Sequence, residues 1–189
     1  MLLFNKENSI SDSNALREAI VELSFYDSTN HPEKDPNIEW ASSSTSNITK
    51  ELSNETGIIK SSIDEMVELV ETNLEITVDN YKAYGQYYTQ SDIEPGIHRD
   101  YTTGFLPTYS ADHVAILYIG HDGWNSTLEF WNHEEHIPSY TSHLEHSIDL
   151  KQNDFVIFDH VLAHRFKPST WGNHAGDSGL MLAVFLNTT

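Results

Sequence analysis

Two short segments of the sequence carry side chains that could bind one metal ion. His98 and Asp100 lie two residues apart, and His164 follows in a much later segment. In an extended chain, side chains two residues apart share a face, so His98 and Asp100 can reach the same ion. Two imidazoles and one carboxylate can occupy one face of an octahedral metal and leave the opposite face open, which is the ligand set of non-haem Fe(II) oxygen chemistry. We therefore predict an iron site at these three residues.

Other histidines offer alternative ligands. His160 lies four residues before His164 and competes with it. The run 133–136 (His-Glu-Glu-His) resembles a zinc-protease motif, but that motif places its histidines four apart on a helix. Here the histidines are three apart and Pro138 follows at once, so we interpret the run as a solvated acidic loop.

Composition excludes several kinds of function. The chain has 189 residues, which suits a single domain, and a formal net charge of −19 with only 10 lysines and arginines. Such a charge opposes binding to nucleic acid and to anionic membranes. The absence of cysteine excludes disulfides, thiolate metal sites and cysteine nucleophiles. No long apolar run and no apolar N-terminal segment occur, so we expect an untargeted, soluble, cytoplasmic protein.

The hydrophobic pattern predicts two helices followed by strands. The helices are expected at 15–23 and from a cap at Ser61 or Ser62 to Glu71 or Thr72, with Met66 in the core. Thr49–Leu52 is expected to be a turn or a helix start, and 41–47 a loop. Strands are predicted at 75–78, 80–88, 113–119, 127–131, 147–150, 154–158, 161–166 and 180–186. This order predicts one mainly β domain, a sandwich or jelly roll, with a helical support region at 1–73 packed on a β core at 74–189.

Several motifs occur in the order found in a known enzyme family. They are Tyr84-Gly85-Gln86-Tyr87-Tyr88, His98-Arg99-Asp100-Tyr101, the apolar run 113–120, Trp124-Asn125-Ser126-Thr127-Leu128-Glu129-Phe130, Asn153-Asp154-Phe155-Val156-Ile157-Phe158 and His164-Arg165-Phe166-Lys167-Pro168. Over residues 75–186 the chain resembles the Fe(II)/2-oxoglutarate-dependent dioxygenases, and among them the prolyl-4-hydroxylase-like group. The two segments with the metal ligands are the specific part of this resemblance.

The resemblance implies a fold and an activity. The fold would be a double-stranded β-helix, a form of jelly roll (cupin-like), with Fe(II) bound by His98, Asp100 and His164. The enzyme would use 2-oxoglutarate and O₂, with ascorbate as a further candidate cofactor. It would hydroxylate a C–H bond of a peptide or a small molecule, and it would need neither nucleic acid nor a membrane as partner.

The chain departs from the family where the far carboxylate of 2-oxoglutarate binds. The family places a basic residue at the start of the last strand, and this chain has Ser178 at the matching position. Tyr84, Tyr88 and Ser178 remain candidate cosubstrate contacts, and Lys82 and His174 are candidates for its charged end. A buried carboxylate without a cation is costly. The alternative prediction is therefore a jelly-roll protein that binds metal, or is structural, and lacks 2-oxoglutarate-dependent catalysis.

Two other basic residues are less suited to this role. Arg165 and Lys167 flank Phe166 in the segment that begins with His164. If His164 points into the core, the alternation of a strand turns both basic side chains outward. Lys82 differs, because it shares a strand face with Tyr84.

Overall fold

The computed structural model describes residues 1–23, 26–27, 47–88, 97, 111–120, 126–132, 143–168 and 180–189. Within these residues, two helices lie in the first part of the chain, α1 (Ser13–Val21) and α2 (Gly57–Leu74). The strands are β1 (Leu2–Lys6), β2 (Tyr26–Asp27), β3 (Asn47–Glu51), β4 (Val78–Tyr88), β5 (His113–Tyr118), β6 (Ser126–Asn132), β7 (His143–Leu150), β8 (Asp154–Asp159), β9 (His164–Pro168) and β10 (Leu180–Thr188).

The strands form two antiparallel sheets that face each other. The larger sheet has the order β1-β8-β5-β10-β4-β3-β2, and the smaller one has the order β7-β6-β9. From β5 onward the chain passes from one sheet to the other at the steps from β5 to β6, β7 to β8, β8 to β9 and β9 to β10, which is the winding of a jelly roll. The protein is therefore mainly β with a double-stranded β-helix fold, as the sequence predicted.

One face of the larger sheet is covered by the two helices. Asp12 caps α1 by accepting the backbone N–H of Ala15 at 3.0 Å, and Leu16 and Ile20 of this helix are fully buried. In α2 the buried side chains follow helical spacing, so they form one apolar stripe. They are Ile59, Ile63, Met66 and Val70. The predicted helical layer and the core position of Met66 are confirmed.

The start of α2 was predicted in the wrong place. The helix begins at Gly57 after its N-cap Thr56, whereas a cap was expected at Ser61 or Ser62. Ser62 lies inside the helix and is buried. At the other end, the helix is terminated by Glu75 in a left-handed conformation with φ of 55°. One strand, β4, then covers most of the range in which two strands were predicted.

The other face of the larger sheet is turned toward the smaller sheet, and we call the two facing surfaces the inner faces. Strict alternation sends every second residue of β5, β8 and β10 to this side. The inner cluster is Tyr84, Val114, Ile116, Tyr118, Val156, Phe158, Met181, Ala183 and Phe185 from the larger sheet, with Leu128, Phe130, Ile148, Leu150 and Phe166 from the smaller sheet. Because both faces of these strands are buried, their sequences are continuous apolar runs rather than alternating ones.

The first part of the chain also contributes strands, which the sequence did not predict. β1 pairs with β8 at one edge of the larger sheet, and β3 pairs with β4 near the other edge. Thr49–Leu52 was expected to be a turn or a helix start, and most of it belongs to β3. The division of the chain at residue 73 stays a prediction. Within the described residues no helix is long and apolar enough to cross a membrane.

Candidate metal and cosubstrate site

One row of paired residues in each sheet defines one end of the interior, which we call the His164 end. In the smaller sheet, His164 pairs with Phe130. In the larger sheet, Lys82 and Phe185 belong to a row of paired residues that includes Phe158. The Phe158 ring lies 5.3 Å from the Phe130 ring and 4.8 Å from the His164 ring, measured between centroids. Two phenylalanines therefore surround one imidazole between the sheets.

A backbone carbonyl fixes the orientation and the tautomer of His164. It is the first residue of β9 and only 5% exposed, and its Nδ1 lies 2.9 Å from the carbonyl oxygen of Leu162. A carbonyl can only accept, so Nδ1 carries a proton, and the neutral ring then has its lone pair on Nε2. Histidine ligands of metals are usually oriented by such a bond from their second nitrogen. The residue thus fits the role of an iron ligand through Nε2.

The other two predicted ligands, His98 and Asp100, lie outside the described residues. The same holds for His174 and Ser178, and for the side chain of Tyr88. Within the described ranges, no three histidine, aspartate or glutamate side chains form a group that could hold a metal ion. A metal site at His164 would therefore need ligands such as His98 and Asp100, and their part in it stays a prediction.

Tyr84 and Lys82 do share the inner face, as the sequence indicated. Tyr84 pairs with Ala183 and is 8% exposed, with its ring edge-on to Phe185 at 5.8 Å. The side chain of Lys82 is 36% exposed, and its Nζ lies 3.9 Å from Oε1 of Glu51. Lys82 therefore places a cation at the His164 end of the interior. Its role in cosubstrate binding stays a prediction.

Arg165 points away from the interior, which the alternation of β9 predicted. It pairs across the strands with Glu129, and its Nε and Nη2 donate to Oε2 of Glu129 at 2.8 and 2.5 Å. The indole N–H of Trp131 donates to the same oxygen at 3.2 Å, and the guanidinium stacks 5.2 Å above the Trp131 ring. We call these three residues the outer cluster. Because Arg165 is committed there, it cannot reach a ligand between the sheets.

Sequence reasoning missed a pair of buried hydroxyls between the sheets, which we call the hydroxyl pair. Ser126 Oγ donates to Tyr118 Oη at 3.2 Å, and both side chains are almost fully buried. Burial raises the pKa of Tyr118, while the bond from Ser126 and the positive charge of Arg17 in α1 lower it. The signal was present in the sequence, because Tyr118 is the only hydroxyl in the apolar run 113–119 and has the inner-face parity of Val114.

The hydroxyl of Tyr118 lies against Gly120, which leaves room for it because it has no side chain. A Cβ on Gly120 would lie 2.1 Å from Tyr118 Oη and 2.3 Å from Cζ of the same ring. Such a contact is far inside the van der Waals limit, so any larger residue at 120 would displace the ring. Gly120 therefore keeps the phenol in its place beside Ser126.

The competing histidine, His160, has a different environment. Its Nδ1 lies 3.1 Å from the carbonyl oxygen of Asp112, in the turn before β9. His146, by contrast, pairs with Phe130 on the side opposite to His164 and stacks on that ring at 6.5 Å with 17° between the planes. His146 is exposed. Two imidazoles thus flank Phe130 in the row that marks the His164 end.

The chain is similar in fold to proteins of known structure. No family model matches the chain, and no curated protein matches it. Among solved structures, a prolyl-4-hydroxylase of Pseudomonas putida superposes with a TM-score of 0.51 and 16% identity, over 97% of this chain and 91% of that one. A full-length protein of Neurospora crassa, solved in complex with alpha-KG, gives a TM-score of 0.41 and 14% identity over 85% of this chain and 59% of that one. The first match supports the jelly-roll fold.

Proposed function

We propose that this protein is a non-haem Fe(II) oxygenase of the prolyl-4-hydroxylase-like group that uses 2-oxoglutarate to hydroxylate a C–H bond of a peptide or a small molecule. The observation that carries the proposal is His164. It is buried on the inner face, it begins the strand on which the family resemblance places a ligand, and its Nδ1–H is bound to a carbonyl so that Nε2 can bind metal.

His98, Asp100 and His164 would hold the metal. When bound, Fe(II) would supply the oxygen chemistry that couples decarboxylation of 2-oxoglutarate to hydroxylation of the substrate. The protein would orient the His164 ring through the Leu162 carbonyl. Phe130 and Phe158 would exclude water from this side of the site, which strengthens electrostatic interactions inside it.

The cosubstrate would bind between the sheets. Tyr84 faces this space, and Tyr88, Ser178 and His174 are further candidates from the sequence. The hydroxyl pair adds a candidate that the structure supports: the raised pKa of Tyr118 keeps its phenol protonated, so it is a donor for a carboxylate, which can only accept. We propose Tyr118 and Ser126 as contacts of the far carboxylate, with Arg17, whose charge acts on Tyr118, as the positive charge. Lys82 remains the candidate from the sequence for the charged end, but it lies in the row of Val114, four residues before Tyr118 on β5.

A second candidate function is that of a metal-binding or structural jelly roll without 2-oxoglutarate-dependent catalysis. The observation that favours it is the last strand. β10 has the sequence Leu-Met-Leu-Ala-Val-Phe-Leu-Asn-Thr, which contains no basic residue. If no cation neutralises the far carboxylate, 2-oxoglutarate binds weakly, and the metal-binding residues serve another purpose.

Metal and cosubstrate titrations distinguish the two candidates. Under anaerobic conditions we expect His164→Ala to weaken Mn(II) or Fe(II) binding by at least about 100-fold, because loss of a ligand costs more than loss of its supporting contact. His160→Ala is the matched control and should bind metal like the wild type. With metal bound, 2-oxoglutarate at about 100 times its dissociation constant should stabilise the protein by about 2.7 kcal/mol, measured as a rise in melting temperature.

Each outcome decides between the proposals. Unchanged metal binding in His164→Ala refutes the metal site. Metal binding that depends on His164, without any thermal shift at millimolar 2-oxoglutarate, supports the second candidate. Hydroxylation of a substrate by the wild type and not by His164→Ala supports the first.

A further inference from the structure

The outer cluster lies directly beside the pair that carries the metal ligand. Phe130 pairs with His164 on the inner face, and Glu129 pairs with Arg165 on the outer face, one residue away on each strand. The side chains of Glu129 and Arg165 are only 10% and 15% exposed, so this is a buried ion pair on the back of the smaller sheet. The proposed activity assigns no role to it.

The register of β9 on β6 decides where His164 lies. A slip of one residue would turn His164 out of the interior and Arg165 into it, and the apolar surroundings oppose that slip. A slip of two residues keeps the alternation and so is not opposed by it. Such a slip would carry His164 along β6 by about 6.6 Å, since a strand rises about 3.3 Å per residue.

Few apolar contacts oppose the two-residue slip. β9 has five residues, and among its side chains at 164–167, which the structure describes, Phe166 is the one buried apolar side chain on the inner face. Glu129 favours a single register, because only Arg165 offers it a guanidinium across the strands. In a slip that brings Arg165 opposite Thr127, Ala163 would face Glu129, and the carboxylate would stay buried without a cation. In the opposite slip Lys167 would face Glu129, and its ammonium cannot replace the two-nitrogen contact of the guanidinium.

We propose that Glu129 and Arg165 are positioning residues that fix the register of β9 and thereby place His164 for metal binding. The role in metal binding rests on the proposed function, but the effect of the pair on the position of His164 can be tested without metal. Trp131 supports the pair, because its indole N–H binds the same carboxylate oxygen and its ring stacks on the guanidinium. A planar guanidinium is needed for both contacts, so lysine is a poor replacement for Arg165.

The first test uses the metal-free protein. Nuclear Overhauser contacts report whether the ring of His164 lies against the ring of Phe158, and a two-residue slip of β9 would separate the two rings. We expect the wild type to show this contact, and Glu129→Gln and Arg165→Gln to show it weakened at least about twofold. The charge-swapped double variant Glu129→Arg with Arg165→Glu should restore it. The control is Thr127→Val with Lys167→Gln, the next cross-strand pair on the same outer face, which should resemble the wild type.

The second test measures the dissociation constant of Mn(II) at a temperature at which circular dichroism shows every variant to be folded. We expect Glu129→Gln and Arg165→Gln to weaken binding at least about tenfold, as loss of a supporting contact of a metal ligand does. The charge-swapped variant should recover to within about threefold.

The outcomes separate this inference from the proposed function. An unchanged contact between His164 and Phe158 and wild-type Mn(II) affinity in both single variants, despite lower melting temperatures, would mean that the pair only stabilises the fold. A weakened contact in the single variants without any Mn(II) binding by the wild type would sustain the positioning role and refute the metal site. Loss of metal binding in the control pair as well would refute a specific role of Glu129 and Arg165.

Discussion

At the scale of single residues, the chemistry depends on which atoms carry protons. The type and spacing of His98, Asp100 and His164 could be recognised in the sequence. The tautomer of His164 could not, because it is set by a carbonyl two residues earlier in the chain, and the sequence does not show where a backbone carbonyl points. The same is true of the hydroxyl pair, whose two members lie on strands of different sheets.

Tyr118 is expected to recognise the far carboxylate of the cosubstrate. Tyr118→Phe removes one hydrogen bond to a charged group, which is worth about 1.5–3 kcal/mol, so 2-oxoglutarate should bind the metal-loaded protein at least about tenfold more weakly. Binding of 2-oxopentanoate, which lacks that carboxylate, should not change. The measurement is calorimetric titration of both ligands.

Tyr81→Phe is the matched control for that measurement. Tyr81 lies on β4 and packs against the helix-facing core, so its hydroxyl is remote from the space between the sheets. An equal loss of affinity for both oxo acids in Tyr118→Phe would contradict the assignment, because it would indicate a general disturbance of the site.

Asp154 gives a prediction about pH. Burial raises its pKa above the usual 3.8, although the backbone N–H of Lys151, which it accepts at 2.8 Å, lowers it. A carboxyl with a raised folded-state pKa binds more protons in the native state, so its contribution to stability falls as pH rises from its unfolded pKa to its folded pKa. Asp154→Asn keeps an acceptor for Lys151 and removes this charge.

We therefore expect the stability of Asp154→Asn, relative to the wild type, to be greater at pH 7 than at pH 3.5. Urea unfolding of both proteins at several pH values measures the difference. The comparison isolates one carboxyl from the other acidic residues, since these are common to both proteins. A difference that is independent of pH, or that shrinks as pH rises, would contradict the raised pKa.

At the scale of secondary structure elements, long apolar patterns were predicted well and short strands were not. The stripe of α2 and the runs of β5, β8 and β10 contain enough apolar residues to define a period. β1 and β3 have five residues each, which is too short to define one. They are strands because an edge of the larger sheet offers them partners, and that information lies elsewhere in the chain.

The link between β6 and β9 gives a prediction about stability. Glu129→Ala leaves the guanidinium of Arg165 buried without its carboxylate, and breaking such a buried pair costs about 3–5 kcal/mol. Urea unfolding should show this loss. In the double variant with Arg165→Ala the loss should be smaller than the sum of the two single losses, because the remaining charge is removed as well.

The same strand provides the control for this prediction. Thr127 lies on the outer face two residues before Glu129 and donates to Asp149 at 3.0 Å in an exposed position. Thr127→Ala should change the free energy of unfolding by about 0.5 kcal/mol or less. Equal losses in Thr127→Ala and Glu129→Ala would show that burial of the ion pair has no special weight.

At the scale of the whole molecule, the order of motifs along the chain was sufficient to predict the jelly roll. In this fold, most consecutive strands from β5 onward belong to opposite sheets, so residues far apart in sequence meet between them. That is why His164 was expected to meet His98 and Asp100 although it follows them by more than 60 residues. The sequence did not predict that Lys82 lies at the same end as His164, because this depends on the strand register. Hydrophobic alternation does not determine that register, since a shift by two residues leaves the same side chains facing the core.

The net charge of −19 should weaken the folded state through repulsion among its 29 acidic residues. Salt screens this repulsion, because the Debye length falls from about 30 Å at 0.01 M to about 10 Å at 0.1 M. We expect the melting temperature at pH 8 to rise by a few degrees between 10 and 300 mM NaCl, since about 1 kcal/mol corresponds to about 3 °C in a protein of this size. Choline chloride should act like NaCl, which excludes specific binding of sodium.

Lowering the pH tests whether repulsion is the cause. Protonation of all 11 histidines would change the formal charge from −19 to −8, so less repulsion would remain for salt to screen. The rise in melting temperature with salt should therefore be clearly smaller at pH 5.5 than at pH 8. Scanning calorimetry at both pH values measures it. An equal rise at both would attribute the effect to salting-out of apolar surface, because that effect does not depend on the charge of the protein.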